Sequence, residues 1–174
     1  MNNRITYQQA ITSLDQNRLP YATLTLQNNI NVIITQRGGR ILGPFLSPTD
    51  GSIFWTNKAF ATPASLTEFL ESGDWNLGGE RIWIAPEIQY LVRDRSDFWG
   101  SIRVPEAMDP GQYHLDQPEP DQARLTQQIV LEANNLANGQ KELHVEKLIT
   151  QVEDPLRYLS SYGDMLEGVI FAGY

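Results

Sequence analysis

The chain has 174 residues, a length typical of a single domain, and 41% of them are hydrophobic, which is enough for a core. Its 13 basic and 21 acidic residues give a net charge of −8, which disfavours nucleic acids and anionic membranes as partners because both require a basic surface. The absence of cysteine excludes disulfides, thiol nucleophiles and cysteine-based zinc sites.

No segment of the sequence predicts a membrane span or a secretion signal. No apolar run approaches the roughly 20 residues that cross a bilayer. The polar N-terminus also lacks the apolar core of a signal peptide. We therefore expect a cytoplasmic protein.

The first third of the chain predicts one short helix followed by strands. Tyr7, Ile11 and Leu14 have the spacing of one helical face, although a strand start is also compatible with this segment. Beyond Pro20, alternating apolar residues predict strands, and Asn28-Asn29 makes the first two a hairpin. The four expected strands span residues 21–26, 30–35, 41–46 and 53–57.

The middle of the chain predicts a helix, a sharp turn and another strand. Ser65 is the expected N-cap of a helix over residues 66–71, because Glu68 follows it at the spacing of a capping box. Gly78-Gly79 permits a sharp turn. Over residues 81–85, Arg and Trp alternate with Ile, which predicts a strand whose isoleucines face a core.

The second half predicts further strands separated by polar loops. Residues 93–97 are charged and indicate a solvated loop. The connection over residues 154–164 has a helical turn as one option. The expected strands span residues 113–115, 125–133, 143–149 and 165–174.

The loop at Asn138-Gly139 decides the register of the longest predicted hairpin. A two-residue turn would pair odd-numbered with even-numbered residues and would place polar side chains opposite apolar ones. A three-residue loop over residues 138–140 instead pairs Ile129 with Ile149. We therefore prefer the three-residue loop, with Gly139 in the left-handed conformation.

Many short strands with frequent turns predict an all-β fold, an antiparallel sandwich or a barrel, with one or two short helices. We expect one domain over residues 1–174. The usual catalytic motifs are absent, because the sequence has no Gly-x-Ser-x-Gly elbow and no phosphate loop. His144 and Glu146 supply two ligands where zinc needs three or four, so neither a metal nor another cofactor is expected.

Arg81 and Trp83 form the most distinctive polar–aromatic pair. A guanidinium offers forked donors to hydroxyl groups, and an indole packs on the C–H face of a sugar. Glu87 is the first carboxylate to consider as an acceptor or an acid/base group, and its alternative role is a surface salt bridge. The alternative for the pair is that Arg81 pairs with Glu80 or Glu87 while Trp83 fills a core.

Three segments resemble the galactose mutarotase-like (aldose 1-epimerase-like) superfamily. Residues 37–42 (Arg-Gly-Gly-Arg-Ile-Leu) and 54–57 (Phe-Trp-Thr-Asn) resemble its opening strands. Residues 78–87 resemble the Gly-Gly-acid-Arg-x-Trp-x-small-Pro-Glu signature of a mostly uncharacterised group within it.

The resemblance implies a sugar cleft and a partial β-supersandwich. It covers nearly the whole chain but only about half of a typical family member, so the chain corresponds to an N-terminal portion. Arg81 falls at the position of a sugar-contacting arginine. The acid/base His and Glu of the family have no counterpart in this sequence, so complete epimerase machinery is not expected.

These observations predict a protein that binds a sugar or similar polyol through Arg81, Trp83 and Glu87. Weaker candidates for the same cleft are Arg40, Trp55 and Asn57. Any catalysis would be ring opening at an anomeric carbon, as in an aldose 1-epimerase-like isomerase. Two alternatives are an interaction module that dimerises or adds a partner strand at an open sheet edge, and a lipocalin-like carrier.

Overall fold

The computed structural model describes residues 4–134, 139–156 and 162–174. Within these residues the helices are α1 (Tyr7–Gln16), α2 (Pro63–Glu71), α3 (Glu87–Leu91) and α4 (Phe98–Ser101). The strands are β1 (Tyr21–Thr25), β2 (Asn31–Thr35), β3 (Arg40–Phe45), β4 (His114–Asp116), β5 (Gln122–Ala133) and β6 (Gly139–Thr150). The predicted β-rich fold is confirmed, with more short helices than expected, and no described helix is long and apolar enough to span a membrane.

The strands form two antiparallel sheets of three strands each, in the orders β1-β2-β3 and β4-β5-β6. The first sheet is buried on both faces, because alternate residues of β2 and β3 point to different clusters. One face packs against α1 and α2 through Ile33, Leu42, Leu14 and Leu66. The other face packs against the second sheet through Val32, Ile34, Ile41, Leu125 and Ile149.

A third apolar cluster lies at the far end of the second sheet. Ile129 and Leu131 of β5 pack there against Tyr90, Leu91 and Met108. The segment that contains α3 and α4 therefore covers this end of β5. Residues 93–97 within it are exposed, as their charge predicts.

The β5–β6 hairpin differs from its predicted register. Ile149 pairs with Ala123 rather than Ile129, and Gly139 pairs with Ala133 inside the sheet. The three-residue loop is therefore wrong, although odd-numbered residues do pair with odd-numbered ones. The alternation of inward-facing and outward-facing side chains requires odd-numbered residues to pair with odd-numbered ones, but it does not determine the loop length. A register shift by an even number of residues leaves every side chain on the same face of the sheet. Asn138 lies outside the described residues.

Three predicted strands are absent from the described structure, over residues 53–57, 81–85 and 165–174. Trp83 and Ile84 both pack on the third cluster, whereas Ile82 packs between the sheets, so residues 81–85 do not alternate between two faces. Residues 53–57 and 165–174 make only isolated bridges, such as Thr56 with Gly78.

Helix α2 begins earlier than predicted. Thr62, not Ser65, is its N-cap, and Ser65 occupies the third helical position of the capping box. Pro63 supplies the first helical residue, where a missing N–H costs nothing. Helix α1 is confirmed and begins with a similar capping box formed by Thr6 and Gln9.

Replacing the α2 cap distinguishes the two assignments. Thr62→Ala removes the acceptor for the Ser65 N–H and is expected to lower the free energy of unfolding by about 1 kcal/mol. Glu68→Ala on the same helix is the control and is expected to have little effect, because Glu68 takes no part in the capping box. Urea denaturation measures both, and a larger loss for Glu68→Ala would restore the Ser65 assignment.

Candidate functional site

Gly78 and Gly79 form the turn from which the candidate site starts. Gly79 N donates to Trp55 O over 2.7 Å, and the backbones of Glu80 and Ile41 exchange two hydrogen bonds of 2.9 Å. Both glycines have positive φ, +83° and +73°, which a residue with a Cβ rarely adopts. The turn is thus held between β3 and the segment that precedes α2.

A buried ion pair lies against this turn. Arg40 is 1% exposed and Asp109 is 4% exposed, and Arg40 Nη2 donates to Asp109 Oδ2. Arg40 Nη1 donates to Gly78 O over 3.0 Å and to Asn76 Oδ1 over 3.4 Å. Arg40, one of the weaker predicted ligand residues, therefore ties β3 to the turn from inside the protein.

Asp109 is the buried carboxylate shared by three arginines. Arg81 Nη1 lies 3.8 Å from Asp109 Oδ2, and the charge of Arg37 also acts on this carboxylate. Burial raises the pKa of Asp109 to about 6, against the lowering effect of Arg40, Arg81 and Arg37. The carboxylate is therefore ionised at neutral pH and takes up a proton in mildly acidic solution.

The raised pKa of Asp109 predicts a specific pH dependence of stability. Because the folded chain binds this proton more tightly than the unfolded chain, the added stability is fully present below the ordinary pKa of 3.8. It is lost as the pH rises through about 6. The unfolding free energy of the native protein, relative to that of Asp109→Asn, should therefore increase between pH 7 and pH 4 in urea titrations. A flat difference would contradict the shift.

The Arg81 guanidinium contacts two indoles. Its Cζ atom is 3.6 Å from the ring centroid of Trp83 and 4.8 Å from that of Trp75. The two rings are stacked, with centroids 6.3 Å apart and planes at 28°. We call Arg81, Trp75 and Trp83 the arginine–tryptophan cluster. The Trp83 face that we expected to stack on a sugar is covered by the guanidinium, so Trp83 orients Arg81 instead.

Several polar atoms around this cluster are shielded from solvent and have no hydrogen-bond partner. Native proteins leave few such atoms unpaired. Arg40 Nε and Asp109 Oδ1 both lie close to Gly38, because a Cβ at that position would be 2.9 Å and 3.2 Å from them. The unpaired atoms are Arg37 Nε, Arg40 Nε, Arg81 Nη1, Trp83 Nε1, Asp109 Oδ1 and Gln127 Oε1.

The predicted acidic partners of Arg81 lie in different places. Glu80 pairs with Lys147 and accepts a hydrogen bond of 2.8 Å from the Tyr174 hydroxyl, so it is engaged elsewhere. Burial lowers the pKa of Arg81, and the charges of Asp109 and Glu87 oppose that shift. Glu87 is exposed at the first residue of α3. It therefore lies on the outer rim of the site.

The two remaining candidates have other positions. Trp55 is 63% exposed and lines a hollow of about 250 Å³ together with residues that include Arg4 and Lys58. No residue of the arginine–tryptophan cluster lines this hollow. Asn57 caps the 3₁₀ turn that follows it and donates to Asn76 O over 2.9 Å. The Asn57 side chain is thus used in local hydrogen bonds to the backbone, whereas Trp55 lies against the glycine turn but outside the arginine–tryptophan cluster.

Neither a family model, nor a curated protein, nor a solved structure matches this chain. The resemblance to galactose mutarotase-like proteins therefore still rests on the sequence segments that suggested it.

Sequence reasoning missed Asp109, Arg37 and Trp75 as members of the site. Asp109 lies in a segment without periodicity, and its Asp-Pro-Gly sequence is typical of a turn. Trp75 is close to Arg81 in sequence, and its position just before the glycine turn was the one available signal. His144 and Glu146 are both exposed, and the described residues contain no group of three or more possible metal ligands.

Proposed function

We propose that this chain binds a carbohydrate or a related polyol at the arginine–tryptophan cluster. The observation that carries the proposal is the state of Arg81. Its side chain is 28% exposed and lies over the Trp83 ring, and its shielded Nη1 faces Asp109. Its Nε and Nη2 atoms are not shielded and make no hydrogen bond within the described residues, so a polyol hydroxyl would accept from them.

The two indoles make Arg81 suitable for recognising neighbouring hydroxyl groups. A guanidinium stacked on a ring has its N–H groups directed sideways, in the plane of the fork. The orientation is therefore fixed before a ligand arrives, which lowers the entropy cost of binding. The half-buried Trp75 provides an apolar wall, and the exposed carboxylate of Glu87 would accept from a hydroxyl.

The packing of the two sheets agrees with the finer expectation for the fold. A single apolar cluster contains residues from both sheets, as an antiparallel sandwich requires. We propose that this is a partial galactose mutarotase-like supersandwich. Because Asp109 is held by Arg40 and Glu87 is exposed, no pair of acid/base groups from the described residues faces the cluster, and we expect binding without complete epimerase machinery.

Titration of the protein with D-galactose and D-glucitol tests the proposal. Chemical shifts of the Trp83 and Trp75 indole N–H groups should move on saturation. Arg81→Ala should weaken binding about tenfold to a hundredfold, the usual worth of hydrogen bonds to a charged group. Arg95→Ala removes an exposed arginine from the 93–97 loop and is the matched control. Shifts that persist unchanged in Arg81→Ala would remove Arg81 from the site.

A second candidate is an interaction module that uses the open edge of β6. Strand β6 has twelve residues and pairs with β5 along one edge, and no described strand pairs with its other edge. Leu143 and Val145 on its inner face are half-exposed. An edge of this kind accepts an added strand, from a second copy or from a partner. Sedimentation velocity over a wide concentration range tests for a homodimer, and a constant monomer would argue against self-association.

A further inference from the structure

The arginine–tryptophan cluster lies in a region with more guanidinium groups than carboxylates. Arg37, Arg40 and Arg81 surround Asp109, and the further carboxylate that acts on them is the exposed Glu87. Even with Glu87 counted, three positive charges face two negative ones within the described part of the chain. The site is therefore locally cationic, although the whole chain carries a charge of −8.

The carboxylate of Asp109 is shared unequally by the three arginines. Asp109 Oδ2 accepts a hydrogen bond from Arg40, which is fully buried. Arg81 Nη1 lies 3.8 Å from the same oxygen and makes no hydrogen bond with it. Arg37 Nε and Trp83 Nε1 are unpaired donors as well. The Arg81 side chain is 28% exposed, and its Nε and Nη2 atoms are not shielded and make no hydrogen bond within the described residues.

A neutral hydroxyl would accept a hydrogen bond from the unshielded Nε or Nη2 of Arg81 but would leave the surplus charge unchanged. A carboxylate would accept from both of these atoms and also neutralise the charge, because its two oxygens match the forked N–H groups of a guanidinium. The net charge of the chain does not prevent this, since charges beyond about 8 Å are largely screened at physiological salt. The local surplus therefore decides which ligand binds more tightly.

We infer that the ligand of this site is an acidic sugar, a polyol that carries a carboxylate, with its acid group bound by the fork of Arg81. This rests on the proposed function and specifies its substrate class. The hydroxyl groups of the sugar would face Glu87 and Trp75, and Asp109 would remain the partner of Arg40.

Comparison of two matched probes tests the inference. D-galacturonate and D-galactose differ by a carboxylate in place of a hydroxymethyl group. Calorimetric titration of the full chain should give at least tenfold tighter binding of D-galacturonate, and added potassium chloride should weaken it more than it weakens D-galactose. Arg81→Ala should abolish the preference. Glu87→Gln should enlarge it, because a nearby negative charge on the rim is removed.

The outcomes separate this inference from the proposed function. Equal affinities for the two probes, both reduced in Arg81→Ala, would support a polyol site and overturn the acidic specificity. Binding of neither probe would overturn both. Preferential binding of D-galacturonate that survives in Arg81→Ala would place the anion elsewhere and overturn the inference. A preference lost in Arg81→Ala, with Arg95→Ala unchanged, supports it.

Discussion

Gly78→Ala and Gly79→Ala should each lower the free energy of unfolding by about 3 kcal/mol or more. At position 78 a Cβ would meet the carbonyl oxygen of Trp55 and lie 2.8 Å from Thr56 Cα. At position 79 it would lie 2.5 Å from Ile41 O. These neighbours are backbone atoms that cannot rotate away, and the positive φ of both glycines adds strain. Urea denaturation monitored by tryptophan fluorescence measures the loss.

Gly73→Ala is the matched control. Gly73 has a φ of +74°, close to that of Gly79, but no atom lies within 4 Å of its would-be Cβ. It should therefore show only the left-handed strain, about 1–2 kcal/mol. Equal losses at positions 73 and 79 would mean that the close backbone contacts of the turn do not contribute.

The same substitutions also bear on the site. Gly78 O accepts a hydrogen bond from Arg40, and Arg81 lies two residues after Gly79 in the chain. A displaced turn would therefore move the Arg81 guanidinium away from the Trp83 ring. Changed indole shifts of Trp83 in folded Gly79→Ala, without ligand, are the expected sign of this displacement. The turn therefore connects the stability of the fold with the geometry of the site.

The elements that the sequence predicts well are those determined by near neighbours. The β1–β2 hairpin follows from alternating Thr and Leu around Asn28-Asn29, both of which have positive φ in the structure. Helix α1 follows from the apolar spacing of Tyr7, Ile11 and Leu14, of which Leu14 is buried and the other two pack on the same cluster while partly exposed. In each case the residues whose pattern identifies the element are close neighbours in the sequence.

The predicted strand over residues 81–85 shows why local pattern fails at the site. Alternating residues predict two faces, but a segment that crosses between two clusters produces the same pattern. Ile82 packs between the sheets, whereas Trp83 and Ile84 pack under β5. Arg81 and Trp83 still meet, because two residues of extended chain keep them near each other and the cation attracts the ring.

Asp109 was beyond the reach of sequence pattern. It is 69 positions from Arg40, and tertiary folding alone brings the two together. Its charge gives no hint of burial, since most aspartates are exposed. The sequence alone could therefore predict Arg81 and Trp83 as members of this site, but not the buried carboxylate of Asp109 that determines the electrostatics around them.

Asp109→Ala should destabilise the protein by about 3–5 kcal/mol, because it removes both the charge and the oxygen that accepts a hydrogen bond from the buried guanidinium of Arg40, whereas protonation keeps that oxygen. Arg40 is 1% exposed, and its remaining acceptors are the neutral oxygens of Gly78 and Asn76. Asp116→Ala is the control, since Asp116 pairs with Arg124 on the surface, where their side chains are 34% and 41% exposed. Its removal should barely change stability.

The double variant Arg40→Met with Asp109→Leu separates the cost of an unpaired charge from the worth of the pair. If the loss in Asp109→Ala comes from stranded charge, replacing both partners by apolar side chains should recover most of it. If the pair itself positions the glycine turn, the double variant will regain stability but not the native Trp83 indole shift. Recovery of neither would mean that the stranded charge is not the main cause, because the double variant also lacks the hydrogen bonds of Arg40 to Gly78 and Asn76 and the ion pair of Asp109 with Arg81.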